Sequence, residues 1–252
     1  MARPAIQLYS LREVDKPLPA LLDRIADAGF DGVEFAYRVG DADVTAVVET
    51  LDDRELTPVA AHVPIDRLED DPSAEAAFYR ELGCERLVVP HLDAEHFEST
   101  AAVVRAGQRL EAVADDLAGV DLLYHNHRQE FVDLGERPAF EELIEATDDR
   151  IGFELDVGHA ALAGADSMDL LHRYGDRIPI IHVRDADFDT GEWVPLGEGD
   201  VDLAGIGMAA REPGTPGVDW AVYEQEGDVS LHGLDGVVTT IRELMTHEDR
   251  EQ

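Results

Sequence analysis

Apolar residues along this chain fall in short runs, and the runs are separated by longer stretches with helical spacing. Ala5–Tyr9 reads as a first strand. Pro17–Ala28 then places Leu18, Leu21, Leu22 and Ile25 on one helical face, with Gly29 as a stop. Gly32–Ala36 predicts a second strand and Asp43–Arg54 an acidic helix. Thr57–His62 is a third strand, followed by a helix over Ala74–Leu82. Arg86–Pro90, Val120–His125, Ile151–Asp156, Ile178–Val183 and Trp220–Gln225 complete the set of strands. Helices over Thr100–Leu117, Phe140–Thr147 and Met168–Tyr174 lie between them, and Leu234–Met245 closes the chain.

Eight strand-and-helix units, about thirty residues apart, predict parallel strands joined by right-handed crossovers. Eight such units close naturally into a (β/α)8 TIM barrel of the α/β class, here one domain over residues 1–252. The competitor is an open doubly wound sheet. No G-x-G-x-x-G follows the first strand, where dinucleotide binding would require it. The seventh helix is the weak point. Val201–Gly207 is short and contains glycine, so that part of the wall is expected to be thin or reduced to a turn.

Composition adds habitat more than chemistry. The formal net charge is −36, Lys16 is the only lysine, and acidic residues spread through every predicted helix. Such a surface suits high salt, where screening weakens self-repulsion. It also argues against a nucleic-acid partner, which would need a basic footprint. Cys84 is the only cysteine, which excludes an intrachain disulfide and points to a reducing, cytoplasmic setting. It precedes an apolar run and is expected to be a small buried residue. No apolar run approaches the ~18 residues of a membrane span, and the N-terminus lacks a signal-peptide core.

The candidate chemistry gathers at the predicted strand ends. In Ile151–Ala165 an apolar run breaks off at Asp156, and His159 follows three positions later. The pair could be a helix cap and a packed histidine, or the start of a site. Reading the other ends in order gives Glu34, His62, His91, the H-N-H-R-Q-E run with His125, His127 and Glu130, His182, and Glu224. Imidazoles and carboxylates converging on one barrel mouth make the donor set of a divalent metal such as Mn²⁺, Zn²⁺ or Co²⁺.

At this point the sequence resembles the xylose-isomerase-like barrels of the sugar (phosphate) isomerase/epimerase superfamily over nearly its whole length. The likeness rests on I-Q-L-Y-S-L-R at 6–12, G-F-D-G-V-E-F at 29–35, A-H-V-P at 61–64 and Y-H-N-H-R-Q-E-F at 124–131. It continues in L-D-V-G-H-A at 155–160, I-H-V-R-D at 181–185, L-G-E-G at 196–199 and W-A-V-Y-E-Q-E at 220–226. The resemblance implies one divalent ion, Mn²⁺ first, held by Asp156, His182, Glu224 and a strand-five residue. That residue is a glutamate in the family's sugar epimerases. Here His125 stands at the aligned position and Glu130 is the nearest carboxylate; both stay open, with Glu130 favoured because three carboxylates and one histidine suit Mn²⁺.

The implied chemistry is proton abstraction beside the carbonyl of a sugar or sugar phosphate, with Glu130 and Glu224 as acid–base groups. Glu34, His62, His91, His127, His159 and Arg184 would bind substrate, although Arg184 could instead pair with Asp185 or other acidic neighbours. Return of the proton gives epimerisation or isomerisation. Loss of hydroxide gives the dehydration of the inosose-dehydratase and keto-glycoside-lyase branches. No phosphate-binding signature stands out, since the loop after strand eight offers only Gly227 and Gly233. The superfamily's apurinic-site endonucleases are a rival, but their Asp-x-His pair before L-G-E-G is missing from T-G-E-W-V-P. A non-catalytic sugar-binding or partner subunit is the remaining alternative. The oligomeric state is not legible in the sequence, although barrels of this family often pair, which admits a homodimer.

Overall fold

The computed structural model describes residues 1–36, 38–117, 119–212, 217–226 and 229–246; Gly227 lies outside them. Strands β1 (Arg3–Gln7), β2 (Gly32–Phe35), β3 (Thr57–His62), β4 (Arg86–Val89), β5 (Asp121–His125), β6 (Ile151–Asp156) and β7 (Ile180–Val183) are all parallel. A short antiparallel ribbon, β8 (Asp185–Ala186) with β9 (Trp193–Val194), then precedes β10 (Trp220–Tyr223). β10 pairs with both β7 and β1, so the sheet closes in the order β1-β10-β7-β6-β5-β4-β3-β2. This is the eight-stranded α/β barrel expected from the periodicity, with no open edge for a doubly wound sheet.

The wall contains α1 (Leu18–Ala28), α2 (Val44–Asp53), α3 (Ile65–Asp70), α4 (Pro72–Glu81), α5 (Thr100–Asp116), α6 (Ala139–Ala146), α7 (Val157–Leu162), α8 (Ser167–Tyr174), α9 (Leu203–Ala209) and α10 (Leu234–Thr246). Local chemistry sets their ends. Asp43, Asp71, Ser99 and Asp166 each accept a first-turn backbone N–H. Gly29 ends α1 at φ 98°, a left-handed geometry that glycine adopts without a Cβ penalty. The thin seventh helix is a real helix of seven residues. A Cβ on its Gly207 would collide with the Leu244 carbonyl, so the glycine lets α9 pack backbone-close on α10.

Several boundaries shift by one to a few residues from expectation, and two short helices were not expected. β1 ends at Gln7, and Leu8–Leu11 winds into a 3₁₀ turn, because the apolar run marks burial and not the point where the chain leaves the sheet. The short helices α3 and α7, directly after β3 and β6, carry too few residues to show periodicity. Cys84 is fully buried, its thiol donates to the Arg86 carbonyl (3.2 Å), and burial pushes its pKa up to about 12. The native protein should therefore resist thiol reagents near pH 8 and react with one equivalent once denatured; rapid native labelling would contradict this packing. No described helix is long and apolar enough to cross a membrane.

Candidate functional site

Strand side chains alternate across the barrel wall, so residues two apart line the same inner column. The inner floor is apolar: Ala5, Val59, Ala60, Val88, Leu123, Ile180, Trp220 and Val222 form one buried cluster. Two residues further toward the C-terminal end, the lining changes character. Gln7, Glu34, His62, His125, Glu154 and His182 form a polar layer on that floor. Asp156, Arg184 and Glu224 stand one step higher. All of these except His62 are buried.

Glu154, one residue inside an apolar strand, was invisible to a reading of strand ends. Its Oε1 meets three imidazoles: His62 Nε2 at 2.7 Å, His125 Nδ1 at 2.8 Å and His182 Nε2 at 2.9 Å. Glu34 Oε2 accepts from Gln7 Nε2 (2.9 Å) and lies 2.8 Å from His182 Nε2. Burial works to raise both carboxyls. Glu34 does rise to about 6, helped by the nearby Glu154 charge. Glu154 is instead held well below the usual range, because His182 and His62 outweigh burial. Burial likewise opposes protonation of His62 and His182, but the carboxylates win and both pKa values rise. His125, where burial wins, falls.

In the upper layer Asp156 does two jobs. Its Oδ1 accepts the His159 N–H (2.7 Å) and so caps α7, while Oδ2 faces Arg184 Nη1 at 3.2 Å and His125 Nε2 at 4.0 Å. Cap and site residue are thus not alternatives. Asn126, also missed by the sequence, clamps this strand end: its amide oxygen accepts from Asp156 N (3.0 Å) and its nitrogen donates to Asp156 O (3.2 Å). Arg184 also reaches Glu224 Oε2 (3.3 Å) and Glu226 Oε1 (3.2 Å), and Trp193 lies over its guanidinium at 3.6 Å.

Asp185 is not the partner of Arg184. Its carboxylate accepts backbone N–H groups from Ala186, Gly197, Gly199 and Val201, so the motifs I-H-V-R-D and L-G-E-G are two halves of one loop clamp.

These groups border a cleft of about 320 Å³ lined by Gln7, Tyr9, His62, His91, His125, His127, Arg184, Glu224 and Glu226, among others. A larger hollow, about 520 Å³, opens at the opposite, N-terminal end near Arg86, Gly152 and Pro179, away from the polar layers. His91 is half-exposed at the cleft rim and bonds Gln129 (3.2 Å). His127, which burial keeps neutral with a pKa of about 2, has an unpartnered Nδ1. His159 packs edge-on against Trp193, with burial lowering it to about 4.

Glu130 goes elsewhere. It is fully buried, with one oxygen on the Tyr124 hydroxyl (2.5 Å) and the other on the His127 N–H (2.9 Å); burial lifts its carboxyl to about 7. Of the two open choices on strand five, the structure brings His125 to the other donors and not Glu130. The reason is local: the 3₁₀ turn after β5 folds Glu130 back under the chain.

Could these residues hold a divalent ion? Donor atoms of His125, Asp156, His182 and Glu224 converge within 4.8 Å of one another, as do those of His62, His125, Glu154 and His182. Glu34, Glu154, Asp156 and Glu224 are four buried carboxylates; among the described residues the cationic groups beside them are the Arg184 guanidinium and the His62 and His182 imidazoles, whose pKa values are raised. Uncompensated buried charge is expensive, so a site of this composition calls for further positive charge. Mixed imidazole and carboxylate donors suit Mn²⁺, Zn²⁺ or Co²⁺, and the donor set fits.

The chain is similar to several known proteins. The inosose dehydratase of Geobacillus kaustophilus is 35% identical over 103 residues, 40% of this chain and 33% of the relative. The chain thus spans about a third of that relative's length. The inosose dehydratase of Clostridium beijerinckii is 24% identical over 249 residues, covering 83% of this chain and 82% of the relative. Among solved structures, a sugar phosphate isomerase/epimerase from Parabacteroides distasonis superposes with a TM-score of 0.80 at 19% identity, covering 96% of this chain and 98% of that one. The IOLI protein, crystallised with a zinc atom, superposes at 0.73 with 16% identity over 96% and 98%. The family model for the xylose isomerase-like TIM barrel matches residues 22–245, and the chain belongs to that family.

Proposed function

We propose that this chain is a divalent-metal-dependent dehydratase acting on a neutral polyhydroxylated ketone, an inosose or a free keto-sugar. The observation that carries this reading is the position of Glu130. Epimerisation by two carboxylates needs one on each side of the bound sugar, and Glu130 is folded away beneath Tyr124 and His127. Facing Glu224 instead are imidazoles. β10 lies three strands from β3, which ends in His62, and four from β4, which leads to His91.

A divalent ion held by His125, Asp156, His182 and Glu224 would polarise the ketone and acidify the neighbouring C–H. The side chains supply the rest. Glu224 Oε2 meets His182 and Arg184, and the His182 hydrogen bond together with the Arg184 charge keeps the group ionised against burial. Its Oε1 is assigned to take the proton beside the carbonyl. His62, which the carboxylates beneath it keep protonated, hands a proton to the departing hydroxyl. His127 and His159, both kept neutral by burial, accept hydrogen bonds from ring hydroxyls, and Arg184 donates to them. A phosphate would find poor company. Among the described residues lining the cleft the charged groups are Glu224, Glu226, Arg184 and the protonated His62; Arg184 is already shared by three carboxylates, and His62 is held by Glu154.

The test is a panel of inososes, free keto-sugars and sugar phosphates, incubated with Mn²⁺, Co²⁺ or Zn²⁺ in molar salt and followed by mass spectrometry. Loss of one water from a neutral ketone is expected. Conversion without mass change but with deuterium uptake would replace dehydration by isomerisation or epimerisation. Turnover of an abasic duplex alone would overturn the sugar reading, and inertness with every metal supplied would leave a binding subunit.

A further inference from the structure

We propose that Glu154 is a positioning residue for the metal centre: its buried Oε1 fixes the imidazoles of His125 and His182, so that each turns its other nitrogen toward the carboxylates above. The inference rests on the metal-dependent reading just given and concerns a residue that touches neither substrate nor, in the Asp156–Glu224 donor set, the ion.

Three observations support it. First, the oxygen is a hub for three strands at once, with His62 of β3, His125 of β5 and His182 of β7 all within 2.9 Å. Second, the far sides of two of those rings face the upper layer. His125 Nε2 lies 4.0 Å from Asp156 Oδ2, and His182 Nδ1 lies 3.0 Å from Glu224 Oε2. A ring that donates N–H downward leaves a lone pair above, where the ion would be bound. A carboxylate behind an imidazole settles which nitrogen carries the hydrogen and strengthens the other as a donor. Third, the price in stability is conspicuous. Glu154 is wholly buried and its Oε2 has no partner, in a strand where the flanking inner and outer positions are otherwise glycine and apolar up to Asp156. A carboxylate kept only for packing would be replaced by an apolar side chain at no loss, and often with a gain.

Glu34 shares part of the task by accepting from His182 Nε2, but it does not reach His125. Glu154 is therefore the residue whose loss should disturb both rings together.

The experiment titrates the full-length protein with Co²⁺, reading affinity by chelator competition and coordination geometry from the visible absorption bands. Circular dichroism reports the fold. Wild type should bind Co²⁺ and Asp156→Asn should not, which tests the metal reading by itself; no uptake by wild type would overturn that reading and this one with it. Given wild-type uptake, Glu154→Gln should weaken binding by about 10- to 100-fold and alter the absorption bands, with the barrel still folded. Glu154→Asp keeps the charge but withdraws the oxygen by one methylene, and should fall between the two. Wild-type affinity and spectrum in Glu154→Gln would overturn the proposal. Should that variant fail to fold, the same result in Glu154→Asp would overturn it.

Discussion

Asp156→Asn should abolish metal binding and lower turnover by at least about a thousandfold while leaving the barrel folded. The two oxygens of Asp156 separate these effects. Oδ1 caps α7 through the His159 N–H, and asparagine caps a helix about as well as aspartate. Oδ2 faces His125 and Arg184, and an amide nitrogen in its place would carry no charge and would point donors at a guanidinium. Loss of a Lewis acid that stabilises developing charge is worth several kcal/mol, or about three decades in rate. Metal content by elemental analysis, thermal unfolding and turnover on the neutral ketone check the three parts. Full turnover in a folded variant would remove Asp156 from the site. Loss of fold together with activity would mean that the cap, and not the metal, explains the aspartate.

How much of this was legible beforehand depended on whether a residue's context announces it. β3 and β6 lie where the apolar runs end in His62 and Asp156, because a barrel strand must stop being apolar where it meets the mouth. The same rule located His125, His182 and Glu224. It failed for Glu154, which sits inside its run, two residues short of the end, where a polar side chain has no sequence signal beyond its own oddity. It failed in the other direction for Glu130. Proximity to strand five suggested a carboxylate reaching inward, but the 3₁₀ turn reverses its direction and Tyr124 holds it. Asp185 beside Arg184 looked like an ion pair, whereas the carboxylate organises a loop sixteen residues long through backbone N–H groups. Side-chain direction at a turn is set by backbone geometry, which spacing alone does not reveal.

Arg184→Met should lower the melting temperature sharply, and a divalent ion should recover part of the loss. The guanidinium is 1% exposed and sits between Asp156, Glu224 and Glu226, with Trp193 covering its face. Methionine fills much of the volume but leaves two buried carboxylates without their cation. Removing one partner of a buried ion pair costs about 3–5 kcal/mol, which in a domain of this size corresponds to roughly 6–20 °C. Gly158 makes the crowding visible: a Cβ there would stand 2.6 Å from Arg184 Cγ, so the arginine stem has no slack in which to swing away. A metal ion bound between the same carboxylates supplies positive charge that the variant lacks. Linkage at a hundredfold excess over Kd contributes about 2.7 kcal/mol to any folded protein that binds it, and the gain should be larger in Arg184→Met than in wild type. Differential scanning calorimetry with and without Mn²⁺ measures the gap between the two proteins in each state. A gap that narrows with metal places ion and guanidinium in one electrostatic unit; a gap that stays constant would show that Arg184 stabilises the fold through its packing on Trp193 and not through the carboxylates it shares with the metal site.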